Sequence, residues 1–239
     1  MEGVRVERLR LGTFVRPGSE TPDGLPRAEV VLGYLVHHPA GLLLLDTGIG
    51  EVDDDTEAHY RPVRRDLTEA LGDRGVRPED VDLVVNCHLH FDHCGGNRRL
   101  PGRPVLAQRR ELELAREEGY TVPELVDFPG AHYEPLDGEA EVWPGVLVLP
   151  TPGHTAGHQS LAVRCPDGTV VLAGQAHDHA SDLTADVLAA ELSTGASDLA
   201  CAPGSAGALP EPSPWIARLL ELDPRRILFA HDLAVWEPH

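Results

Sequence analysis

The sequence predicts a mixed α/β (α+β) fold built as a single domain over residues 1–239. Apolar runs of strand length recur along the chain, bounded by turn-forming residues such as glycine, proline and aspartate. Between some of these runs, leucines spaced four apart indicate helices. No repeat or low-complexity linker divides the chain, and 239 residues with 41% hydrophobic content suffice for one substantial core. We therefore expect one domain of layered strands and helices.

The first half of the chain is predicted to be rich in strands. Apolar or alternating residues indicate strands at Val4–Phe14, Glu29–His37, Leu42–Leu45 and Val81–Val85. A helix is predicted over Pro62–Gly72, because Leu67 and Leu71 lie one turn apart and a glycine ends the pattern. The end of the strand at Val81–Val85 is a place where layered α/β folds usually expose functional residues.

The second half continues this alternation of strands and helices. Strands are predicted at Pro104–Ala107, Val146–Leu149, Gln159–Arg164, Thr169–Leu172 and Ile227–Phe229. Helices are predicted over about Gln108–Glu118 and Pro214–Leu222, the second capped by Ser213. Two stretches lack periodicity: Gly119–Ala140 is a candidate substrate lid, and Ser193–Pro214 is expected to be a loop.

The net charge of the chain indicates which binding partners to expect, and its cysteines and amino terminus indicate the cellular compartment. Lys and Arg total 20 against 39 Asp and Glu, and the formal net charge of -19 disfavours nucleic acid and anionic membranes as partners. The amino terminus has no apolar signal region, and no run approaches the length of a membrane span. The four cysteines, Cys87, Cys94, Cys165 and Cys201, form no CxxC pair. We expect a cytoplasmic protein with reduced thiols and a small-molecule substrate; the oligomeric state stays open, a homodimer included.

Residues 86–96 hold the densest group of candidate metal ligands. Three histidines and one carboxylate fall within six positions, namely His88, His90, Asp92 and His93. Imidazole nitrogen and carboxylate oxygen suit zinc and neighbouring divalent metals, and alternate residues of a tight loop can face different ions. Gly95 and Gly96 would let the backbone turn sharply there, and Cys94 is expected to be a packing residue. The run predicts a metal site at the end of a buried strand.

The pattern His88-x-His90-x-Asp92-His93 resembles the signature of the metallo-β-lactamase superfamily. Three further segments resemble motifs of that family, and they contain Asp46, His154 with His158, and His231. The resemblance implies a four-layer αββα sandwich with a dinuclear metal site between its halves. The residues of the motifs and their spacing are most similar to those of the N-acyl homoserine lactonase-like branch.

The resemblance also implies a ligand set for each of two ions. One metal would be held by His88, His90 and His154, and the other by Asp92, His93 and His231. Two zinc ions are the expected cofactors, with manganese or iron as alternatives. One ion can polarise a carbonyl while a bound water, its pKa lowered toward about 7, supplies hydroxide. Asp92 and His231 are the expected catalytic residues, and Asp46 and His158 would hold ligands by hydrogen bonds.

The chain departs from the family pattern at Gln175. The family usually places there an aspartate that bridges both metals, whereas a glutamine offers only a neutral carbonyl oxygen. Gln175 remains a candidate ligand, and the second metal site is expected to be weaker for lack of that charge. The following residues, His177, Asp178 and His179, are candidate replacement ligands or proton carriers.

Candidate substrate-binding residues lie in two places. The lactonase-like branch commonly has a tyrosine shortly after its bridging aspartate, where this chain has Asp178. Tyr133 or His132 of the predicted lid could reach the pocket instead, and His177 is a candidate substrate contact.

These features predict an enzyme, a metal-dependent hydrolase of a small carbonyl substrate. The motif spacing favours a lactone of the N-acyl homoserine lactone kind. A thioester hydrolase of the glyoxalase II type shares the ligand pattern and stays open. A metal-binding protein that has lost the bridging aspartate and no longer catalyses also stays open. Nuclease activity is disfavoured by the acidic composition.

Overall fold

A computed structural model describes residues 3–21, 23–193 and 210–238 of the chain. Seven strands form the first sheet: β1 Arg5–Arg16, β2 Arg27–His38, β3 Gly41–Leu45, β4 Val63–Arg64, β5 Leu83–Val85, β6 Pro104–Gln108 and β7 His132–Leu136. Their order is β4-β1-β2-β3-β5-β6-β7. Neighbours from β4 to β3 run antiparallel, and those from β3 to β7 run parallel.

The second sheet has six strands in the order β13-β12-β11-β10-β9-β8. They are β8 Ala140–Trp143, β9 Val146–Pro150, β10 Gln159–Cys165, β11 Gly168–Leu172, β12 Pro224–Leu228 and β13 Val235–Trp236. Only β11 and β12 pair in parallel; the other neighbours are antiparallel.

The helices of the described residues are mostly short. They are α1 Asp54–Tyr60, α2 Leu67–Gly72, α3 Phe91–Cys94, α4 Arg109–Leu114, α5 Pro123–Val126, α6 Ala180–Ser193 and α7 Ile216–Leu220. Single 3-10 turns lie at Gly18–Glu20, Pro78–Asp80 and Asn97–Arg99. None of the helices that the structure describes combines the length and the apolar character needed to cross a membrane.

Alternation along the strands produces four layers. Between the sheets, buried side chains of the first sheet such as Tyr34 and Leu45 meet those of the second such as Leu161. The outer face of the first sheet packs on α2. The outer face of the second sheet packs on α6 and α7. The predicted αββα sandwich is confirmed, and the Tyr34 hydroxyl joins its halves by donating to the Phe229 carbonyl at 2.6 Å.

Strand direction brings the candidate ligands to one edge of the sandwich. Asp46 follows β3, and the histidine-rich run follows β5, the parallel neighbour of β3. In the second sheet β9, β11 and β12 point the same way, and their ends lead into His154, Gln175 and His231 respectively. Loops at the carboxyl ends of such strands are held by a rigid sheet while staying open to solvent.

The prediction of a helix over Pro62–Gly72 was wrong for its first part. Val63 and Arg64 form an edge strand that pairs with β1, and α2 begins only at Leu67. The helix starts there because the Asp66 side chain accepts a hydrogen bond from the Thr68 backbone at 2.8 Å.

Contrary to the prediction from sequence, the segment Gly119–Ala140 is not irregular throughout. It contains α5, and its five-residue strand β7 pairs with β6 at the edge of the first sheet. Its role as a substrate lid stays a prediction. The preceding helix is shorter than the predicted Gln108–Glu118, since α4 ends at Leu114.

The last predicted helix begins later than expected. Ser213 makes no side-chain cap; its carbonyl accepts from the Ile216 backbone, and α7 starts at Ile216. Helices α1 and α6 were not predicted. Of the predicted loop Ser193–Pro214, Ser193 ends α6 and residues 210–214 are not helical, while residues 194–209, and Cys201 with them, lie outside the described residues.

Candidate metal centre

The histidine-rich run is fixed by backbone hydrogen bonds to the loop that follows β3. Thr47 N donates to the His93 carbonyl at 2.8 Å, and Gly50 N donates to the Phe91 carbonyl at 2.7 Å. The two loops lie so close that a Cβ at Gly95 would stand 1.8 Å from Gly50 N. Only glycine fits there, which is the physical reason for the glycine after the ligand run.

Three histidines form the first ligand group. His90 Nδ1 lies 3.0 Å from His88 Nε2 and 3.1 Å from His154 Nε2. Nitrogens bound to one zinc ion at about 2.05 Å in tetrahedral geometry would be about 3.3 Å apart, so the spacing suits a shared ion. Burial lowers the pKa of His90 to about 4, which keeps this ring neutral, as a metal ligand must be. The pKa of the more exposed His154 is lowered as well, by partial burial and by the neighbouring histidines.

Asp92, His93 and His231 form the second ligand group. His93 Nε2 lies 3.2 Å from His231 Nε2, and Asp92 Oδ2 lies 3.4 Å from each of them. His231 Nδ1 lies 2.9 Å from the Val30 carbonyl, which can only accept, so Nδ1 carries the proton and Nε2 is free to bind a metal.

The electrostatics of the second group favour a positive charge inside it. Burial opposes ionisation of Asp92, but His93 and His231 outweigh it and lower the pKa of the carboxyl. Burial likewise disfavours a charged His93, yet the carboxylates of Asp92 and Asp46 raise the pKa of this imidazole well above its usual value. A proton or a divalent cation at His93 Nε2 would satisfy the same field.

Asp46 contacts both Cys87 and His93, a member of the second ligand group. Asp46 is 1% exposed; it accepts from the Cys87 backbone at 2.8 Å and from the Cys87 thiol at 2.9 Å, and its Oδ2 lies 3.0 Å from His93 Nδ1. Burial raises the pKa of Cys87 to about 12, so the thiol keeps its proton and remains a donor. Asp46 therefore orients His93, as the sequence led us to expect.

Glu111 was not identified from the sequence. This carboxylate on α4 is fully buried and accepts from Leu89 N and Thr155 Oγ1, both at 2.8 Å, and also from the Tyr120 hydroxyl. Leu89 stands between His88 and His90, and Thr155 follows His154. Glu111 thus ties together the two loops that supply the first ligand group.

Two other residues predicted from the sequence, His158 and Cys94, are fully buried next to the ligand loops. His158 Nε2 accepts from the Gln175 backbone at 3.0 Å, and its Nδ1 lies 2.8 Å from Thr151 Oγ1. Cys94 is buried in a small apolar cluster, 3.4 Å from the Leu89 carbonyl, as expected of a packing residue.

Gln175 faces the ligand groups but is tied to Asp178. The Gln175 side-chain amide donates to Asp178 Oδ1 at 3.0 Å, and Gln175 lines a cavity together with His90, Asp92 and His154. The amide nitrogen is thus used by Asp178, and the carbonyl oxygen is the side-chain atom that could act as a neutral ligand; the ligand role of Gln175 stays a prediction.

The remaining candidates have contacts typical of packing. The Tyr133 hydroxyl lies 3.3 Å from Asn97 Nδ2, and the Tyr133 ring packs in apolar clusters beside β6. His177 Nε2 lies 3.0 Å from Asp186 and its ring lies 5.4 Å from that of Trp215. His132 lies near Glu134, and His179 lies near Asp182. Tyr133 also lines a cavity of about 900 Å³. The substrate-binding roles of Tyr133 and His177 stay predictions.

A cavity of about 140 Å³ opens beside both ligand groups. Besides the ligands and Gln175 it is lined by three aromatic residues and two charged ones, namely Phe14, Tyr60, Phe91, Arg16 and Glu20. A neighbouring cavity of about 420 Å³ shares Tyr60, His90 and Phe91 with it. A small organic molecule could therefore reach the ligands with its apolar part on aromatic rings. The sequence did not indicate Arg16 or Tyr60.

Fold and site together define a two-sheet sandwich with two adjacent groups of histidine and aspartate side chains that suit divalent cations. The chain belongs to the metallo-beta-lactamase superfamily, whose family model matches residues 27–231. This family membership agrees with the resemblance of the motifs.

Several relatives carry lactonase names. The chain is 36% identical over 151 residues to an N-acyl homoserine lactonase of Bacillus sp, a match that covers 58% of this chain and 60% of the relative. It is 33% identical over 155 residues to an N-acyl homoserine lactonase of Azorhizobium caulinodans, covering 56% and 59%. The matches thus span about 60% of the length of these curated relatives.

A solved structure of a quorum-quenching N-acyl homoserine lactone hydrolase is similar over almost the whole chain. The TM-score is 0.75 at 26% identity, and the alignment covers 98% of this chain and 94% of the other. The arrangement of both sheets is therefore shared with that hydrolase.

Proposed function

We propose that the protein is a metal-dependent hydrolase that opens a lactone ring of the N-acyl homoserine lactone kind. The observation that carries this proposal is the pair of ligand groups beside one cavity lined by aromatic residues. The relatives named N-acyl homoserine lactonase support the substrate class. The proposed cofactors are two zinc ions, with manganese or iron as alternatives.

The residues that would hold the metals are the two ligand groups, with Gln175 as a further neutral ligand. When bound, such ions polarise the scissile carbonyl and lower the pKa of a bound water toward about 7. Asp92, kept ionised by His93 and His231, can accept a hydrogen bond from the attacking water and fix its orientation. Phe14, Tyr60 and Phe91 would exclude bulk water from the reacting carbonyl.

Chelation and reconstitution test this proposal. We expect the zinc-loaded protein to hydrolyse N-hexanoyl-homoserine lactone, to lose that activity with a chelator, and to recover it when zinc is restored. A thioester of the glyoxalase II kind serves as the competing substrate in the same assay. Hydrolysis of the thioester alone would replace the lactone assignment, and a metal-loaded protein inert toward both would point to binding without catalysis.

A further inference from the structure

Arg16 places a positive charge beside a centre built to bind cations. It is the last residue of β1, its side chain is 12% exposed, and it lines the 140 Å³ cavity with His90, Asp92 and His154. A guanidinium repels metal ions and costs free energy to bury, so its position calls for a compensating role.

Glu29 accepts hydrogen bonds from only some of the N–H groups of this guanidinium. Arg16 Nε donates to Glu29 Oε1 at 2.6 Å and Nη2 donates to Oε2 at 2.8 Å, which uses two of the five N–H donors. The next carboxylate oxygens belong to Asp178, 3.9 Å from Nη2, and Glu20, 4.0 Å from Nη1. Both lie beyond hydrogen-bond range, so three N–H donors have no acceptor among the residues that the structure describes.

Two of the three unused donors lie on one edge of a fixed plane. Because Glu29 takes the Nε and Nη2 side, one free N–H of Nη1 and one of Nη2 form the outer end of the guanidinium, and the third, also on Nη1, points away from Glu29. The guanidinium carbon also sits over the Phe14 ring, 5.5 Å from its centroid, which holds the plane in place. The two N–H groups at the outer end, one on Nη1 and one on Nη2, form a preorganised fork of the kind that binds an oxygen acceptor end-on.

We propose that Arg16 is a specificity-determining residue whose free edge hydrogen-bonds a second acceptor oxygen of the substrate, distinct from the scissile carbonyl. This inference rests on the proposed lactone hydrolysis. The proposed substrates are therefore lactones in which the ring carbon next to the reacting carbonyl carries an amide or a carboxylate group. In an N-acyl homoserine lactone, the second acceptor oxygen is that of the amide carbonyl.

The test compares lactones with and without this oxygen. For the zinc-loaded variant Arg16→Gln, we expect the KM of N-hexanoyl-homoserine lactone to rise roughly 10- to 100-fold with kcat changed less than about threefold, since a charged hydrogen bond is lost. The KM of γ-decalactone, which lacks the amide, should change less than about threefold. A carboxylate-bearing γ-butyrolactone, run alongside, shows whether the fork prefers amide or carboxylate. An equal rise in KM for all three lactones would overturn the assignment.

Arg27→Gln is the matched control. Arg27 also donates to Glu29, at 3.0 Å, and lies 3.5 Å from Asp178, but it does not line the cavity. The Arg27→Gln substitution therefore perturbs the same ion pairs but leaves the Arg16 fork in place. None of the three KM values should change by more than about threefold.

Two further measurements keep the outcome decisive. If Arg16→Gln does not fold because Glu29 loses two of its three hydrogen bonds from arginine, the double variant Arg16→Gln with Glu29→Gln removes both buried charges and must show the same KM pattern. If the wild type opens none of the three lactones, the proposed function fails, and calorimetric titration with ring-opened N-hexanoyl-homoserine tests Arg16 alone. Binding weakened at least about tenfold by Arg16→Gln upholds the assignment; equal binding, or none to the wild type, overturns it.

Discussion

Single residues decide whether the ligand loops hold their geometry. The best example is Glu111, which is buried and accepts three hydrogen bonds from groups next to the first ligand group. No pattern around Glu111 distinguishes it from exposed acids on the same helix. Its role depends on where the sheet brings residues 22 and 44 positions away, so it could not be predicted from local sequence.

Replacing Glu111 with glutamine should weaken both the fold and the metal site. A glutamine has one acceptor oxygen and places an N–H group against a donor, so we expect a loss of about 1.5–3 kcal/mol in unfolding free energy. Zinc affinity should fall as well, because the loops carrying His90 and His154 are no longer tied together. Denaturant unfolding and zinc titration measure both effects. Glu113→Gln, an exposed change on the same helix, is the control; similar losses in the two variants would refute the role of Glu111.

Gly95 should tolerate no side chain. A Cβ there would stand 1.8 Å from Gly50 N, so Gly95→Ala must push apart the two loops that carry Asp46 and His93. We expect destabilisation of about 3 kcal/mol or more, measured by urea unfolding. Gly72→Ala, where a Cβ meets nothing within 4 Å, should change the unfolding free energy by less than about 1 kcal/mol. Equal stability of the two variants would show that the loops have room to move.

At the scale of elements, strands were easier to predict than helices. Alternating or continuous apolar runs reflect burial on a sheet, and the strands at Leu42–Leu45 and Gln159–Arg164 were located nearly to the residue. Helix α6 was missed although Leu183 and Val187 have helical spacing, because polar residues before it suggested a loop. The pairing of β7 with β6 depends on long-range contacts that a single sequence does not display.

The hydrogen bond between Tyr34 on β2 and the end of β12 links the two sheets near His231. Tyr34→Phe keeps the ring and removes only the hydroxyl that donates to the Phe229 carbonyl at 2.6 Å. We expect a loss of about 0.5–1.5 kcal/mol in unfolding free energy, since a net hydrogen bond is lost within an apolar core. Thermal or urea unfolding checks this. Tyr60→Phe, whose hydroxyl bonds an exposed glutamate, should cost less; a larger loss at Tyr60 would contradict the linking role of Tyr34.

At the scale of the molecule, the metal centre joins both halves of the sandwich. The histidine-rich run and Asp46 come from the first sheet, and His154 and His231 come from the second. The run was predicted from sequence because its ligands are crowded together. The remaining ligands were placed by the family resemblance, since only the folded sheets bring them to the same edge.

Metal binding should therefore stabilise the whole fold. A ligand that binds only the folded state adds about 2.7 kcal/mol at a free concentration of 100 times its Kd. We expect the melting temperature of the metal-free protein to rise with added zinc, and to rise less in His231→Ala, which lacks a ligand from the second sheet. Differential scanning calorimetry measures this, and magnesium, which prefers oxygen ligands, is the control ion. A melting temperature indifferent to zinc would contradict a centre shared by both halves.

We propose that two ligand groups beside one cavity each hold a divalent ion. This proposal is tested most directly by counting zinc per chain with inductively coupled plasma mass spectrometry after saturation and removal of free metal, in the wild type, His154→Ala and His231→Ala. We expect close to two ions in the wild type and close to one in each variant. A wild type that retains no zinc, or two variants that each keep the wild-type number, would contradict it.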